Sequence, residues 1–126
     1  MMQQKRQKAI LHRVESFTTD ARLVTARLEA DGTVTLLGRG SQCINTGGEK
    51  VYPEEVEECL KLHPSVADAA VVGLPDDKWG EAINALVEPH AHATIDATEL
   101  RNHVKAHLAA YKAPKAVFTI DSVSRA

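Results

Sequence analysis

Two apolar runs near the middle of the chain, residues 66–74 (VADAAVVGL) and 81–87 (EAINALV), limit severely what the sequence can build. Each is too short for a helix of ordinary length and is bounded by turn residues, which is the pattern of a buried strand. The residues between them begin Pro75-Asp76-Asp77, a turn signal. Strands joined by a loop of about six residues pair as antiparallel neighbours. A central two-stranded ladder, buried by whatever packs on it, is therefore the first expectation.

The flanking sequence supplies helices to cover it. Pro53 sits where a helix can begin, because proline at the first helical position loses no hydrogen bond, and Glu54 and Glu55 suit the positive N-terminal end. Val56, Cys59 and Leu60 then form a stripe at i, i+3 and i+4, and His63-Pro64 ends the helix. A second helix opens on a capping box, Asp96 with Glu99, stapled by Ile95 and Leu100, and runs through Val104 and Leu108. Tyr111-Lys112-Ala113-Pro114 breaks it, and residues 116–120 (AVFTI) read as a terminal strand. Upstream, apolar residues between 22 and 37 flank Asp31-Gly32, a hairpin signal. A short strand is expected over residues 42–45, ahead of a glycine turn at Gly47-Gly48. The fold class is α+β: helices packed on a small mixed sheet, preceded by a β-hairpin.

Composition narrows the function classes. The chain has 126 residues, 44% of them hydrophobic, which suits one domain with one core. Its formal net charge of −2 offers no global basic field for nucleic acid. The charge is uneven: residues 1–50 carry eight Lys/Arg against five Asp/Glu, and residues 51–126 carry seven against twelve. Much of the basic excess lies in a leader, residues 1–21, read as helical or as a disordered tail, with Ile10 and Val14 on one face of a helix over residues 3–14. This leader lacks the apolar stretch of a secretory signal, and no run approaches a membrane span. Two cysteines, Cys43 and Cys59, make no disulfide framework and fit a reduced, cytoplasmic setting.

Few motifs carry chemistry of their own. Residues 38–53 (GRGSQCINTGGEKVYP) hold neither a Walker loop nor a G-x-G-x-x-G fingerprint. Their glycines either connect strand to helix or let a ligand approach the backbone at Gly47-Gly48. His103 and His107 share a helix face, but there is no HExxH and the cysteines are distant in sequence, so no metal is expected. The glutamates at 54, 55, 57 and 58 wrap a helix turn and read as solvated. Trp79, the one tryptophan, covers an apolar patch or offers a binding surface. No Ser-His-Asp or Cys-His constellation is present in the pattern.

Three segments, GRGSQCINTGGEKVYPEEVEE, HPSVADAAVVGLPDDKWGE and YKAPKAVFTID, together resemble the C-terminal lid domain of adenylate-forming enzymes, acyl-CoA synthetases and fatty-acid–CoA ligases above all. On that resemblance residues 22–126 are such a domain. It implies a two-step reaction in which ATP-Mg and a carboxylate give an acyl-adenylate and pyrophosphate, and coenzyme A (CoA) then displaces AMP. The acid–thiol ligase class belongs to the whole enzyme, with a role in lipid metabolism. The partner implied is a large N-terminal adenylation domain, and CoA or the acyl-adenylate is the small-molecule partner. A homodimer through the face that domain leaves exposed is a further expectation.

Residue by residue, Arg39 matches a position near the nucleotide ribose and hinge, and Ser41 stands at the hinge, where Asp or Lys is usual. Gly47, Gly48 and Glu49 match the loop that lines the pantetheine tunnel. Trp79-Gly80-Glu81 and Tyr111-Lys112 match landmarks without an assigned role. The resemblance departs at Val24, where the family has a ribose-binding aspartate. At the other end, Ser124-Arg125-Ala126 begin a segment whose adenylation lysine would lie beyond Ala126. No catalytic residue is therefore assigned to this chain, no cofactor is expected to reside in it, and it is expected to be inactive alone. A stand-alone, non-catalytic module that docks on an adenylation domain or binds CoA or a nucleotide is the alternative.

Overall fold

The computed structural model describes residues 26–28, 33–36 and 43–125. In chain order the elements are β1 (Ala26–Leu28), β2 (Thr33–Leu36), β3 (Ile44–Thr46), β4 (Glu49–Val51), α1 (Pro53–Lys61), β5 (Val66–Asp76), β6 (Gly80–Pro89), α2 (Ala97–His107), a 3-10 turn (Ala110–Lys112), β7 (Ala116–Thr119) and β8 (Ser122–Arg125). The expected leader and the tip of the first hairpin lie outside the described residues.

The two apolar runs pair antiparallel as expected, from Val66 opposite Pro89 to Asp76 opposite Gly80. Their other neighbours are shared along β6. Thr46 of β3 pairs with Gly80 at its start, and β7 runs parallel to residues 84–87 further on. The resulting five-stranded sheet reads β4-β3-β6-β5, with β7 beside β6. A second sheet, β1-β2-β8, holds the first hairpin, β1 antiparallel and β8 parallel to β2.

Both faces of the central ladder are buried, which explains apolar runs with little alternation. On one face Ala69, Val71, Ile83, Ala85 and Val87 pack with Val56, Cys59 and Leu60 of α1 and Leu100 and Val104 of α2. On the other, Ala70, Val72, Leu74 and Leu86 pack with Val34 of β2, Phe118 and Ile120. Leu60 and Leu100 are fully enclosed, each worth about 2–3 kcal/mol by area.

The helices begin where the sequence indicates. Asp96 accepts a hydrogen bond from Glu99 N at 3.1 Å, and Ile95 packs on the core that buries Leu100. The capping box is only half formed, however. Instead of turning back to Asp96, the Glu99 carboxylate pairs with His63 Nε2 at 2.7 Å and ties α2 to the end of α1. Two short strands carry no signal of their own in the sequence. β4 is the three-residue return after the glycine turn, and β8 pairs with β2, far away in sequence.

Glu57 departs most from its expectation. The glutamate run reads as solvated, and Glu54, Glu55 and Glu58 are exposed, but Glu57 is 5% exposed. Its Oε2 accepts from Val71 N at 2.7 Å. Among the described strands β5 is the last of its sheet, so an inward-reaching carboxylate supplies an acceptor for an edge amide. Glu57→Ala is therefore expected to cost about 1.5–3 kcal/mol, the range for losing a charged hydrogen-bond partner in a buried place. Glu57→Gln, which keeps an acceptor oxygen, should cost less. Glu58→Ala, which loses only an exposed i,i+3 pair with Lys61, should stay within about 0.5 kcal/mol. Urea denaturation of the three variants checks the ranking, and equal costs at positions 57 and 58 would contradict it.

Candidate functional site: the glycine hairpin and its clamp

The β3–β4 hairpin turns on Gly47 and Gly48, whose φ angles are +58° and +84°. Two consecutive left-handed residues match the twist of a tight two-residue hairpin and are costly for side chains with a Cβ. The two glycines are not equivalent. A Cβ on Gly47 would lie 2.9 Å from Trp79 Cε3, whereas a Cβ on Gly48 would meet no atom within 4 Å. Gly47 is thus a packing position, and Gly48 presents bare backbone to open space. Glu49, next along, is exposed.

Three consecutive residues hold this turn. Trp79 lays its ring on Gly47, and its carbonyl accepts from Gly47 N at 2.8 Å. Gly80, with φ +83°, lets β6 start directly opposite Thr46. Glu81 Oε1 accepts from Asn45 N at 2.8 Å. The Trp79-Gly80-Glu81 segment, a landmark without a role in the sequence, is the clamp of the hairpin. Asp76 sets the clamp: its carboxylate accepts from Lys78 N and Trp79 N at 2.9 and 3.0 Å, the local turn that aspartate favours. An aspartate two and three residues ahead of the amides it holds was the available signal for this.

Cations gather beside the clamp. Lys115 Nζ and Lys78 Nζ lie 4.3 and 4.9 Å from the centre of the Trp79 ring, within cation–π range. Lys115 also lines an open hollow of about 450 Å³ with Arg101, Lys105, Tyr111 and Pro114. Nothing local in the sequence marks Lys115, because its partner Trp79 is remote along the chain. Lys112 donates to the Glu55 carboxylate, and that hydrogen bond raises its pKa. It thereby fastens the 3-10 turn to α1. Arg39 and Ser41 lie outside the described residues.

A second cluster lies between the helices. His63 accepts at Nδ1 from Ser65 N, at 3.1 Å, so its Nε2 carries the proton given to Glu99. His103 Nε2 donates to Cys59 O at 2.7 Å, and His107 Nδ1 donates to His103 O at 2.8 Å. Cys59 is buried, as its place on the helix stripe indicates, and burial raises its thiol pKa, with the Glu55 charge adding to the effect. Its distance from the histidines in sequence disappears in the fold, where its sulfur lies beside both rings.

Known proteins share this arrangement of elements. The chain is 53% identical over 100 residues to the 3-oxocholest-4-en-26-oate–CoA ligase of Rhodococcus rhodochrous, covering 79% of this chain and 18% of the relative. It is 50% identical, over the same share of both chains, to a medium/long-chain-fatty-acid–CoA/3-oxocholest-4-en-26-oate–CoA ligase of Mycolicibacterium smegmatis. Among solved structures, the acyl-CoA synthetase of Brucella canis superposes on 76% of this chain and 18% of its own, with a TM-score of 0.65 and 33% identity. The o-succinylbenzoate CoA synthetase of Bacillus subtilis, in complex with its acyl-adenylate intermediate, superposes on 76% of this chain and 19% of its own, with a TM-score of 0.61 and 41% identity. The chain therefore spans about a fifth of the length of these relatives. The profile of the AMP-binding enzyme C-terminal domain matches residues 55–125, from the first turn of α1 to the end of β8, and the chain belongs to that family.

Proposed function

We propose that this domain is the lid of an acyl-CoA synthetase and that its Gly47-Gly48 turn guides the pantetheine arm of CoA. The observation that carries the reading is the bare, outward Gly48 on a turn clamped by Trp79, Gly80 and Glu81. A thin ligand arm can run against a backbone that has no side chain, and the clamp keeps the backbone in place while it does so. In the reaction proposed, a carboxylate oxygen attacks the α-phosphorus of ATP and pyrophosphate leaves. The CoA sulfur then attacks the acyl carbon, gives up its proton, and AMP departs. The domain contributes to the second step by alignment, which is worth much in a bimolecular displacement.

Further residues and a substrate class complete the proposal. Arg101, Lys105 and Lys115 surround a hollow suited to the phosphates of CoA. Tyr52, Leu62 and Tyr111 are exposed large apolar side chains, and we assign them to contact with an adenylation domain. Arg39 and Ser41 are proposed as the nucleotide-side and hinge residues, and Glu49 as part of the turn's frame. The names of the relatives suggest fatty or sterol-derived carboxylic acids as the substrate class. A cytoplasmic setting, where thiols stay reduced, accompanies this chemistry. No helix among the described residues is long and apolar enough to cross a membrane.

The two half-reactions separate the turn from the rest. The test grafts residues 26–125 in place of the matching segment of the Brucella canis synthetase and keeps that enzyme's own residues on both sides, its adenylation lysine included. Gly48→Trp should then slow thioester formation by about 100-fold while pyrophosphate exchange stays within about twofold of the unsubstituted graft. Equal loss of both steps, or of neither, would overturn the assignment. Gly47→Ala acts differently. It forces a Cβ against Trp79 at a positive φ and should destabilise the fold by about 1–2 kcal/mol in urea denaturation. The 126-residue chain by itself is expected to show no ATP–pyrophosphate exchange, which a standard exchange assay checks.

A further inference from the structure

We infer that Cys59, His103 and His107 form a zinc site that joins α1 to α2. One donor atom from each residue, the sulfur of Cys59 and a ring nitrogen of each histidine, lies within 4.8 Å of the others. A tetrahedral zinc with bonds of about 2.0–2.3 Å needs donor separations of about 3.6 Å, so the longest gap closes by about 1.2 Å. Side-chain rotation supplies that, because His107 is exposed and His103 half-buried.

Each ring is also prepared as a ligand. His103 Nε2 and His107 Nδ1 donate to backbone carbonyls at 2.7 and 2.8 Å. One nitrogen of each neutral ring is thereby protonated and the other keeps its lone pair. This is the outer-shell support that zinc-binding histidines use, and rotation about Cα–Cβ and Cβ–Cγ re-aims the free lone pair. His63 does not join the set, since both of its nitrogens are engaged, with Ser65 N and Glu99. It contacts the His103 ring edge-on, centroids 5.3 Å apart, and limits where that ring can go. One sulfur and two imidazoles suit zinc, and the exposed side of His107 leaves a fourth position for water. On binding, a zinc–sulfur bond forms and the Cys59 thiol proton passes to solvent.

The test uses the 126-residue chain with cobalt(II) as the optical probe and zinc as the competitor. Binding of one cobalt per chain, with a thiolate-to-cobalt charge-transfer band that zinc abolishes, is expected. The band should vanish in Cys59→Ser and persist in Cys43→Ser. His107→Ala, at an exposed position that leaves the core intact, should weaken zinc binding at least about tenfold and cancel the zinc-dependent rise in Tm. The double variant of His90 and His92, both exposed, should bind as the unsubstituted chain does. Absence of the band, its survival in Cys59→Ser, or unchanged affinity in His107→Ala would overturn the inference.

Discussion

β6 is the strand on which the other elements depend. β5 takes one of its edges, and β3 and then β7 take the other. Its side chains alternate between the helix-facing core and the core under the second sheet. A strand paired on both edges and covered on both faces has no solvent-exposed route for slipping, since a shift by one residue would exchange its two faces. The functional geometry inherits this rigidity. Gly80, the first residue of β6, lies opposite Thr46, so the hairpin that carries Gly47 and Gly48 is placed by the start of the most constrained strand in the fold.

Much of this was legible because its signals are local. The central runs, Pro53, the Asp96 cap and the Gly47-Gly48 turn each owe their structure to residues within a few positions. What was not legible depends on partners far along the chain. Glu57 reads as one more solvated glutamate until β5 brings Val71 N to it, 14 residues on. Half of the capping box is lost because His63, 36 residues away, competes for Glu99. β8 has no periodicity to mark it and exists only because Thr33 through Leu36 lie beside it. Cys59 and His103, 44 residues apart, meet through the packing of two helices that each looked self-contained.

The polar links share a pattern. Lys112 to Glu55, His63 to Glu99 and His103 to the Cys59 carbonyl each join α1, or the residues just after it, to the α2 region. The apolar contact between the helices fixes their separation, while these directional contacts oppose sliding and rotation. α2 also supplies Arg101 and Lys105 to the hollow, so one helix carries both the links to α1 and two of the hollow's cations. The glycine turn meets the same region through Lys115, which both lines the hollow and caps the Trp79 ring.

Trp79 has a consequence outside energetics. It is the only tryptophan in the chain, and its indole rests on the turn that it holds, beneath two ammonium groups. Indole emission depends on nearby charge and on contact with water. The intrinsic fluorescence of the domain is therefore an unlabelled optical reporter of one place, the back of the Gly47 turn, and it records any event there that lifts the ring, bares it to solvent or draws Lys115 away.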